Sequence, residues 1–575
     1  MEFLFVACQT DVTHPDVEPY KHHIPDLYLI IHRRHPRKGK YENSNLTKIL
    51  FNYEGILWAE QIFLMPSPMQ LAASSYKGLL NDPYFGGQWY LQDCRKERFH
   101  TLIDLNVIPV WNHYKIFGFN IKVVVIDGGL EINHPDLNNN FDPEYGYDFL
   151  DNVSLPTPKG HDAHGTIVAG VIAMQANNNV CGVGIAPLVT LGAVRILLKY
   201  GKVSRFKVAS ALSFRAHDLD ISNNSWSDTG DGTRIRHMNH LIMAALKDGI
   251  VKGRRSKGII FIFASGNTKK LGHTCAHDAN ASSIYTIVVG GVKHNGDTLH
   301  YSVRCSSVLV AAYSGDGNSI LSKNIVTTDE RGSCAFDLNG TSVAAPMVSG
   351  IVALILEARY DLSWREVQHV LVWTSQVAAL AHNKVWFRNK ASFYFSLDFG
   401  FGLVDAFLAV TFAKSMTSIP PMNSCVLSIG KRSSSADTDE AVFNRKKVLQ
   451  IKVSVDGCKT LPSEVNYIEH VQLIVSVDHP RRGAIQIQLI SPSGTQSLLM
   501  DKRRLDKSKF GLNAWVLDTV HFWGESPQGL WSIIFYDTIS KFTNEGSVSK
   551  AVLIIHGTND KPAHYASTRS YYKFT

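Results

Sequence analysis

Three short sequences hold the residue types that nucleophilic chemistry needs. Asp127-Gly128-Gly129 follows an apolar run and precedes Asn133-His134-Pro135-Asp136. His164-Gly165-Thr166 opens a helical stretch, and Asn339-Gly340-Thr341-Ser342-Val343-Ala344-Ala345-Pro346 opens another. A serine hydroxyl is a weak nucleophile and needs a neighbouring imidazole as base. The imidazole in turn needs a carboxylate to fix its tautomer and stabilise its charged form. Asp127, His164 and Ser342 supply one of each. Singly these are weak signals: Asp-Gly-Gly is a common turn, Gly-Thr-Ser a common helix start, and a lone His more often caps a helix or sits satisfied in a core. Their joint occurrence, in this order and each at the end of an element, is the stronger signal.

The elements that must position them alternate. Residues 121–126 (IKVVVI) form a largely apolar, β-branched run, the pattern of a parallel strand buried on both faces. Similar runs lie at 189–197, 219–222, 258–264 and 284–292, with helical stretches such as 166–175 and 237–246 between them. Alternation of this kind predicts right-handed crossovers and an α/β, doubly wound, mostly parallel sheet with helices on both faces. Ligands bind such sheets outside the carboxyl ends of the strands. Asp127, Asn223-Asn224 and Ser265-Gly266-Asn267 all stand at such ends, hence on one rim.

Beyond residue 415 the texture changes. A linker (416–421) carries Pro420-Pro421, and from Ile468 onward the chain alternates with period two between turns such as Arg481-Arg482-Gly483, which predicts an all-β, jelly-roll-like unit over 422–558. A charged, Ser-rich loop at 431–447 interrupts its start, and residues 559–575 form a tail. Residues 1–80 are a third, poorly patterned region whose basic run, His32 to Lys38, reads as a solvated face.

The chain has 575 residues, 45% hydrophobic and 19% charged, with a formal charge of +8. That describes a globular protein, with charge too dilute to argue for nucleic acid. No apolar run approaches the roughly 18 residues of a membrane helix. Residues 1–7 are mostly apolar, but Glu2 stands where a positive start is needed, so a signal peptide is not evident. A nucleotide-binding α/β protein is disfavoured because no Gly-rich loop follows the first strand.

The chain resembles the subtilisin-like serine proteases, and within them the kexin and furin branch, the proprotein convertases. Besides the three sequences above, the resemblance rests on Gln88-Trp89-Tyr90-Leu91, Asn177 to Gly184, Ser225-Trp226 and Phe263-Ala264-Ser265-Gly266-Asn267. It implies a catalytic domain over 81–415 with Asn267 as oxyanion-hole donor. The β unit is similar to the P domain of this branch through Ser491-Pro492-Ser493-Gly494-Thr495 and the stretch from Trp523-Gly524-Glu525 to Gly529-Leu530-Trp531. Residues 1–80 then stand where a propeptide would, although no dibasic pair precedes the catalytic domain closely.

The resemblance further implies the disulfides Cys181–Cys334, Cys275–Cys305 and Cys425–Cys458, leaving Cys8 and Cys94 over. Such bridges point to the secretory pathway (Golgi) or the exterior, and the lack of an anchor after the β unit leads to the expectation of a soluble protein. It implies calcium, held by the Asp82, Asp136 and Asn178 side chains and the backbone oxygens of Gln175, Val180 and Gly182, a donor set suited to a hard cation. The implied partners are protein or peptide precursors.

Specificity is where the chain departs from this branch. Asp278 resembles the acid at the floor of the first pocket, and Ser225, Trp226, Asp228 and Asp231 fall in the substrate-binding segment. Gly230 and Arg236 stand where pocket acids would, Gly128 replaces a second aspartate beside Asp127, and Gly230, His273 and Val303 replace the carboxylates of a second calcium site. The expectation is cleavage after a basic residue with a relaxed dibasic preference. The alternative is a weakly active or inactive convertase-like protein that acts as a binding module. Candidate glycan sites are Asn45, Asn152, Asn223 and Asn280.

Overall fold

The computed structural model describes residues 80–91, 104–160, 162–198, 203–227, 231–235, 239–278, 280–316, 325–336, 338–429, 441–539, 544–567 and 569, with four strands upstream of residue 63. Two compact units result, one made of residues 1–80 and 379–387, the other of the rest. The first contains an antiparallel sheet of β1 (Leu4–Ala7), β2 (Val17–Lys21), β3 (Tyr28–His32) and β4 (Ala59–Ile62) in the order β2-β3-β1-β4. Cys8, Cys94, Asn45, Asp228, Gly230, Arg236 and the basic run after His32 lie outside the described residues.

The second unit begins with a seven-stranded sheet: β5 (Lys122–Asp127), β6 (Phe141–Asp148), β7 (Thr190–Arg195), β8 (Ile221–Asn224), β9 (Ile260–Ala264), β10 (Thr286–Val292) and β11 (Val308–Tyr313). Their order is β11-β10-β9-β8-β5-β7-β6, and every neighbouring pair is parallel. In β5 every residue after Lys122 is buried, as expected of a central strand covered on both faces. The strand order turns at β5, with β7 and β6 on one side and β8 to β11 on the other. This puts the ligand crevice of such a sheet at the ends of β5 and β8, where Asp127 and Asn224 stand.

The helices are α1 (His164–Ala173), α2 (Arg205–Ser213), α3 (His240–Ser256), α4 (Thr341–Ala358), α5 (Trp364–Thr374) and α6 (Ala406–Ser415). Val208 and Leu212 of α2 and Leu246 and Ile250 of α3 pack with Val124, Ile126, Phe261 and Phe263. Val125 and Asn223 pair in register and face the other side, where Ser349 of α4 donates to Asn223 Oδ1 at 2.8 Å. By length and composition α4 could cross a membrane, contrary to the expectation that no apolar run approaches that length. Here it is the core helix, 89% buried.

The second half is a β-sandwich of antiparallel strands: β12 (Asn423–Ile429), β13 (Val442–Phe443), β14 (Leu449–Val455), β15 (Tyr467–Asp478), β16 (Ile485–Ile490), β17 (Gln496–Met500), β18 (Leu512–Thr519), β19 (Gly529–Asp537) and β20 (Gly546–Thr558). One sheet runs β12-β20-β15-β18 with β13 also on β20; the other runs β14-β19-β16-β17. Alternate residues such as Leu473, Val475, Ile487, Leu489, Ile533, Leu553 and Ile555 fill the core. That cluster continues into Cys275, Ala276, Ala281, Val303 and Cys305 of the α/β part.

All three disulfides form as paired above, closing separations of 153, 30 and 33 residues. Restricting the unfolded chain in this way typically contributes about 2–4 kcal/mol per bridge. Three expectations need correction. Strand β6 reads FDPEYGYD and was not anticipated, because an edge strand exposed for half its length carries no apolar run. The segment 431–447 is not all loop, since β13 lies within it. Asn223 and Asn280 are buried, 0% and 5% exposed, so neither can accept a glycan in the folded protein, whereas Asn152 lies on an exposed turn.

Candidate active site

Strand β5 ends in Asp127, whose carboxylate is 1% exposed, and Asp127 Oδ1 receives His164 Nδ1 at 2.7 Å. The backbone N–H of Gly128 donates to the same oxygen at 2.6 Å. His164 is the first residue of α1, and the contact needs the helix start to press on the strand end. A Cβ on Gly165 would stand 2.0 Å from the carbonyl of Gly129 and 3.2 Å from Asp127 Cβ, so only glycine lets the two elements meet. The negative charge of Asp127 is the main cause that raises the His164 imidazole above its ordinary value; burial opposes it, and Asp162 adds to the rise. The imidazole side chain remains 40% exposed.

Ser342 lies in the first turn of α4, next to the Asn267 that follows β9. Gly340 caps this helix with φ of 107°, a conformation costly for any residue with a Cβ. A Cβ there would stand 2.9 Å from Ser342 Oγ and 3.0 Å from Asn267 Nδ2, so the hydroxyl and the amide converge on the space glycine leaves open. The amide is oriented by its oxygen, since Asn267 Oδ1 accepts from Thr341 N at 2.8 Å and Thr341 Oγ1 at 3.0 Å. Tyr301 and Ser314 lock the turn before the serine. Gly340 N donates to the Tyr301 hydroxyl at 2.9 Å, and Ser314 Oγ donates to the Gly340 carbonyl at 2.7 Å.

One group on the rim had no signal in the motifs. Asp162, two residues before His164, places its Oδ2 2.8 Å from the point where a Gly128 side chain would begin. An acid therefore occupies the neighbourhood where the chain lacks an aspartate at 128, reached from the helix side instead of the strand side. Ser225 Oγ accepts from Asn223 Nδ2 at 3.0 Å, and Trp226 Nε1 donates to the carbonyl of Ile126 at 2.9 Å. These bonds fix the segment leaving β8 against β5. Asp278, 2% exposed, accepts from Asn280 N at 2.9 Å. The carboxylate of Asp231 accepts from Thr233 N, Thr233 Oγ1 and Arg234 N, holding its own turn.

The calcium candidates form a second group. Asp136 is fully buried, accepts from Asn178 Nδ2 at 2.8 Å and Gln175 N at 3.0 Å, and leaves Oδ2 without a partner. Asp82 accepts from Asn177 N at 2.8 Å and Asn178 N at 3.1 Å. Burial pushes the Asp136 carboxyl up to about 7, with the charge of Asp82 adding to it. Among the described residues no Lys, Arg or His pairs with either carboxylate. Val180 N donates to Asn178 Oδ1 at 2.9 Å, and Gln88 Oε1 accepts from Val183 N at 2.7 Å, strapping the loop down. Among the described residues no three His, Cys, Asp or Glu side chains gather as metal donors. An ion here would draw on two carboxylates plus amide and main-chain oxygens, which is oxygen-only chemistry suited to a hard cation.

Known families and proteins are similar to most of this chain. Residues 118–402 match the subtilase family and residues 468–554 the proprotein convertase P-domain. The human proprotein convertase subtilisin/kexin type 6 is 39% identical over 550 residues, covering 94% of this chain and 55% of that protein. The human proprotein convertase subtilisin/kexin type 5 is 37% identical over 563 residues, covering 96% of this chain and 29% of that protein. The chain thus spans about half, or less, of the length of these relatives. The crystal structure of a serine protease of Aeromonas sobria superposes with a TM-score of 0.72 at 22% identity, over 86% of this chain and 99% of that one, a likeness of fold.

Proposed function

Since the chain belongs to the subtilase family, in its proprotein convertase branch, we propose that it is a calcium-dependent serine endoprotease that cleaves protein or peptide precursors after a basic residue. The observation that supports this most is the convergence of Ser342 Oγ and Asn267 Nδ2 on the face that Gly340 leaves open. In this reading His164 Nε2 takes the proton of Ser342 Oγ as the oxygen attacks the scissile carbonyl. The proton then passes to the leaving amine, and water repeats the sequence on the acyl-enzyme. Asp127 holds Nδ1–H and stabilises the imidazolium. Asn267 Nδ2 donates to the oxyanion, a contribution worth about 10²–10³ in turnover.

Asp278 is read as the acid that selects the basic residue before the cut, with Ser225 and Trp226 lining the substrate segment and Asp228 and Asp231 beyond it. Asp162 offers one carboxylate for a second basic residue, so a second is favoured without being required. Calcium would be held by Asp82, Asp136 and Asn178 with the carbonyls of Gln175, Val180 and Gly182. Bound there, it neutralises two buried carboxylates and holds the loop. Residues 1–80 are read as propeptide-like, and the disulfides support maturation in the secretory pathway. Profiling the calcium-loaded protein on a peptide library tests the specificity: cleavage after single Arg or Lys supports it, and strict dibasic cleavage or none contradicts it.

A further inference from the structure

Among the many contacts of the β-sandwich with the α/β part, such as Arg365 with Glu469 and Asn389 with the carbonyls of His521 and Trp523, two reach main-chain segments close in sequence to Asp278 and to Trp226. Arg482, in the turn before β16, and Arg503, in the loop after β17, share the buried carboxylate of Asp506. Arg482 Nε meets Asp506 Oδ2 at 2.8 Å, Arg482 Nη2 meets Oδ1 at 3.1 Å, and Arg503 Nη1 meets Oδ2 at 3.0 Å. Two guanidinium groups share this carboxylate, and their remaining N–H donors turn outward from the sandwich, where the charge of Asp231 also acts on Arg503. Arg482 Nη2 donates to the carbonyl of Thr233 at 3.1 Å, and Arg503 Nη2 to the carbonyl of Arg234 at 2.6 Å. Both acceptors lie in the turn that Asp231 organises, a few residues beyond Ser225 and Trp226.

The second segment is held independently. Trp515 Nε1 of β18 donates to the carbonyl of Ala276 at 3.0 Å, two residues before Asp278. Arg503 is itself close enough to His273 to lower that imidazole's basicity, second only to burial, so the guanidinium also faces the chain that leads into Asp278. Arg503, with its side chain 1% exposed, is an expensive group to bury unless its position serves something. The three carbonyls it and its neighbours hold belong to the two stretches that carry the substrate-facing residues.

We infer that Arg482, Arg503 and Trp515 of the β domain are positioning residues for the first substrate pocket, so that selection of the basic residue depends on the second domain. This rests on the reading of Asp278 as the pocket acid. The three residues do not touch substrate; they act through the main chain at Thr233, Arg234 and Ala276. In this chain a guanidinium supplied by the β domain stands beside His273, one of the positions where resemblance places a second calcium site and the carboxylates are missing.

The test uses full-length, calcium-loaded protein carrying Ser342→Ala and two fluorescent peptides that differ only in having Arg or its neutral isostere citrulline before the scissile bond. Fluorescence anisotropy gives each affinity. The parent should prefer the Arg peptide. Trp515→Phe, which keeps a smaller aromatic ring and removes the donor, and Arg503→Met should each cut the Arg-to-citrulline ratio about fivefold, the worth of one net hydrogen bond. Citrulline binding should stay unchanged, and Arg503→Lys should restore part of the ratio. If Arg503→Met does not fold, Trp515→Phe and the more peripheral Arg482→Gln decide. Folded variants that keep the parent ratio, or that weaken both peptides equally, overturn the inference. A parent that shows no preference shows instead that the Asp278 reading fails, and the inference falls with it.

Discussion

The carboxylate of Asp162 stands 2.8 Å from the point where a side chain on Gly128 would begin. The two positions therefore compete for one place beside Asp127, and here it is filled from the helix side. Asp162→Asn should lower cleavage of peptides with two basic residues before the cut about tenfold relative to peptides with one, through loss of one charge pairing. Comparing kcat/KM on the two peptides measures it; an unchanged ratio would remove Asp162 from the substrate site.

The same acid bears on pH dependence. His164 must be neutral to accept the serine proton, and the carboxylates of Asp127 and Asp162 raise it above its ordinary value. Activity should therefore appear as pH rises through a midpoint above about 6.5. Removing the Asp162 charge lowers the imidazole's affinity for a proton, so the midpoint in Asp162→Asn should move to lower pH. A midpoint that stays put, or moves upward, contradicts the assignment.

Gly340→Ala places a methyl group against both Ser342 Oγ and Asn267 Nδ2, at a φ of 107° that alanine resists. Turnover should fall by at least about 10², the cost of an oxyanion donor. The destabilisation should be only that of local strain, about 1–3 kcal/mol. Thermal unfolding run beside the kinetics separates the two effects. A fully active Gly340→Ala protein would mean the reacting carbonyl sits elsewhere.

Asp136 and Asp82 are buried acids with one orphaned oxygen, and among the described residues no Lys, Arg or His pairs with them. Calcium at about one hundred times its dissociation constant should add about 2.7 kcal/mol of stability. Chelation should lower the melting temperature of the parent and have little effect on Asp136→Asn. Equal melting of the calcium-loaded and chelated parent would remove the metal from the account.

The fold was legible where chemistry and burial leave a mark on the sequence. Strands such as β5 and β9 are buried on both faces and read as apolar runs, and the cysteines of all three bridges were paired from the resemblance. His164 was read as opening a helix because its triplet leads into an apolar helical run, and α1 begins there. Strand β6 left no pattern, being a half-exposed edge. Asp162 was not found because its role is set by the absence of a side chain at Gly128, a relation across 34 residues that no local motif carries. Arg482 was read only as part of a turn and Arg503 was not singled out; their shared Asp506 and the carbonyls opposite emerge only in the fold.

The central claim is that Ser342 is a nucleophile activated by His164 and Asp127. The direct measurement is labelling of mature, calcium-loaded protein with a fluorophosphonate, followed by mass analysis of the modified peptide. The account requires labelling at Ser342, its disappearance in Ser342→Ala, and a fall of about 10⁴ in turnover in Asp127→Asn. A mature, calcium-loaded protein that stays unlabelled, or is labelled equally after Ser342→Ala, would contradict it and leave a convertase-like fold that works by binding.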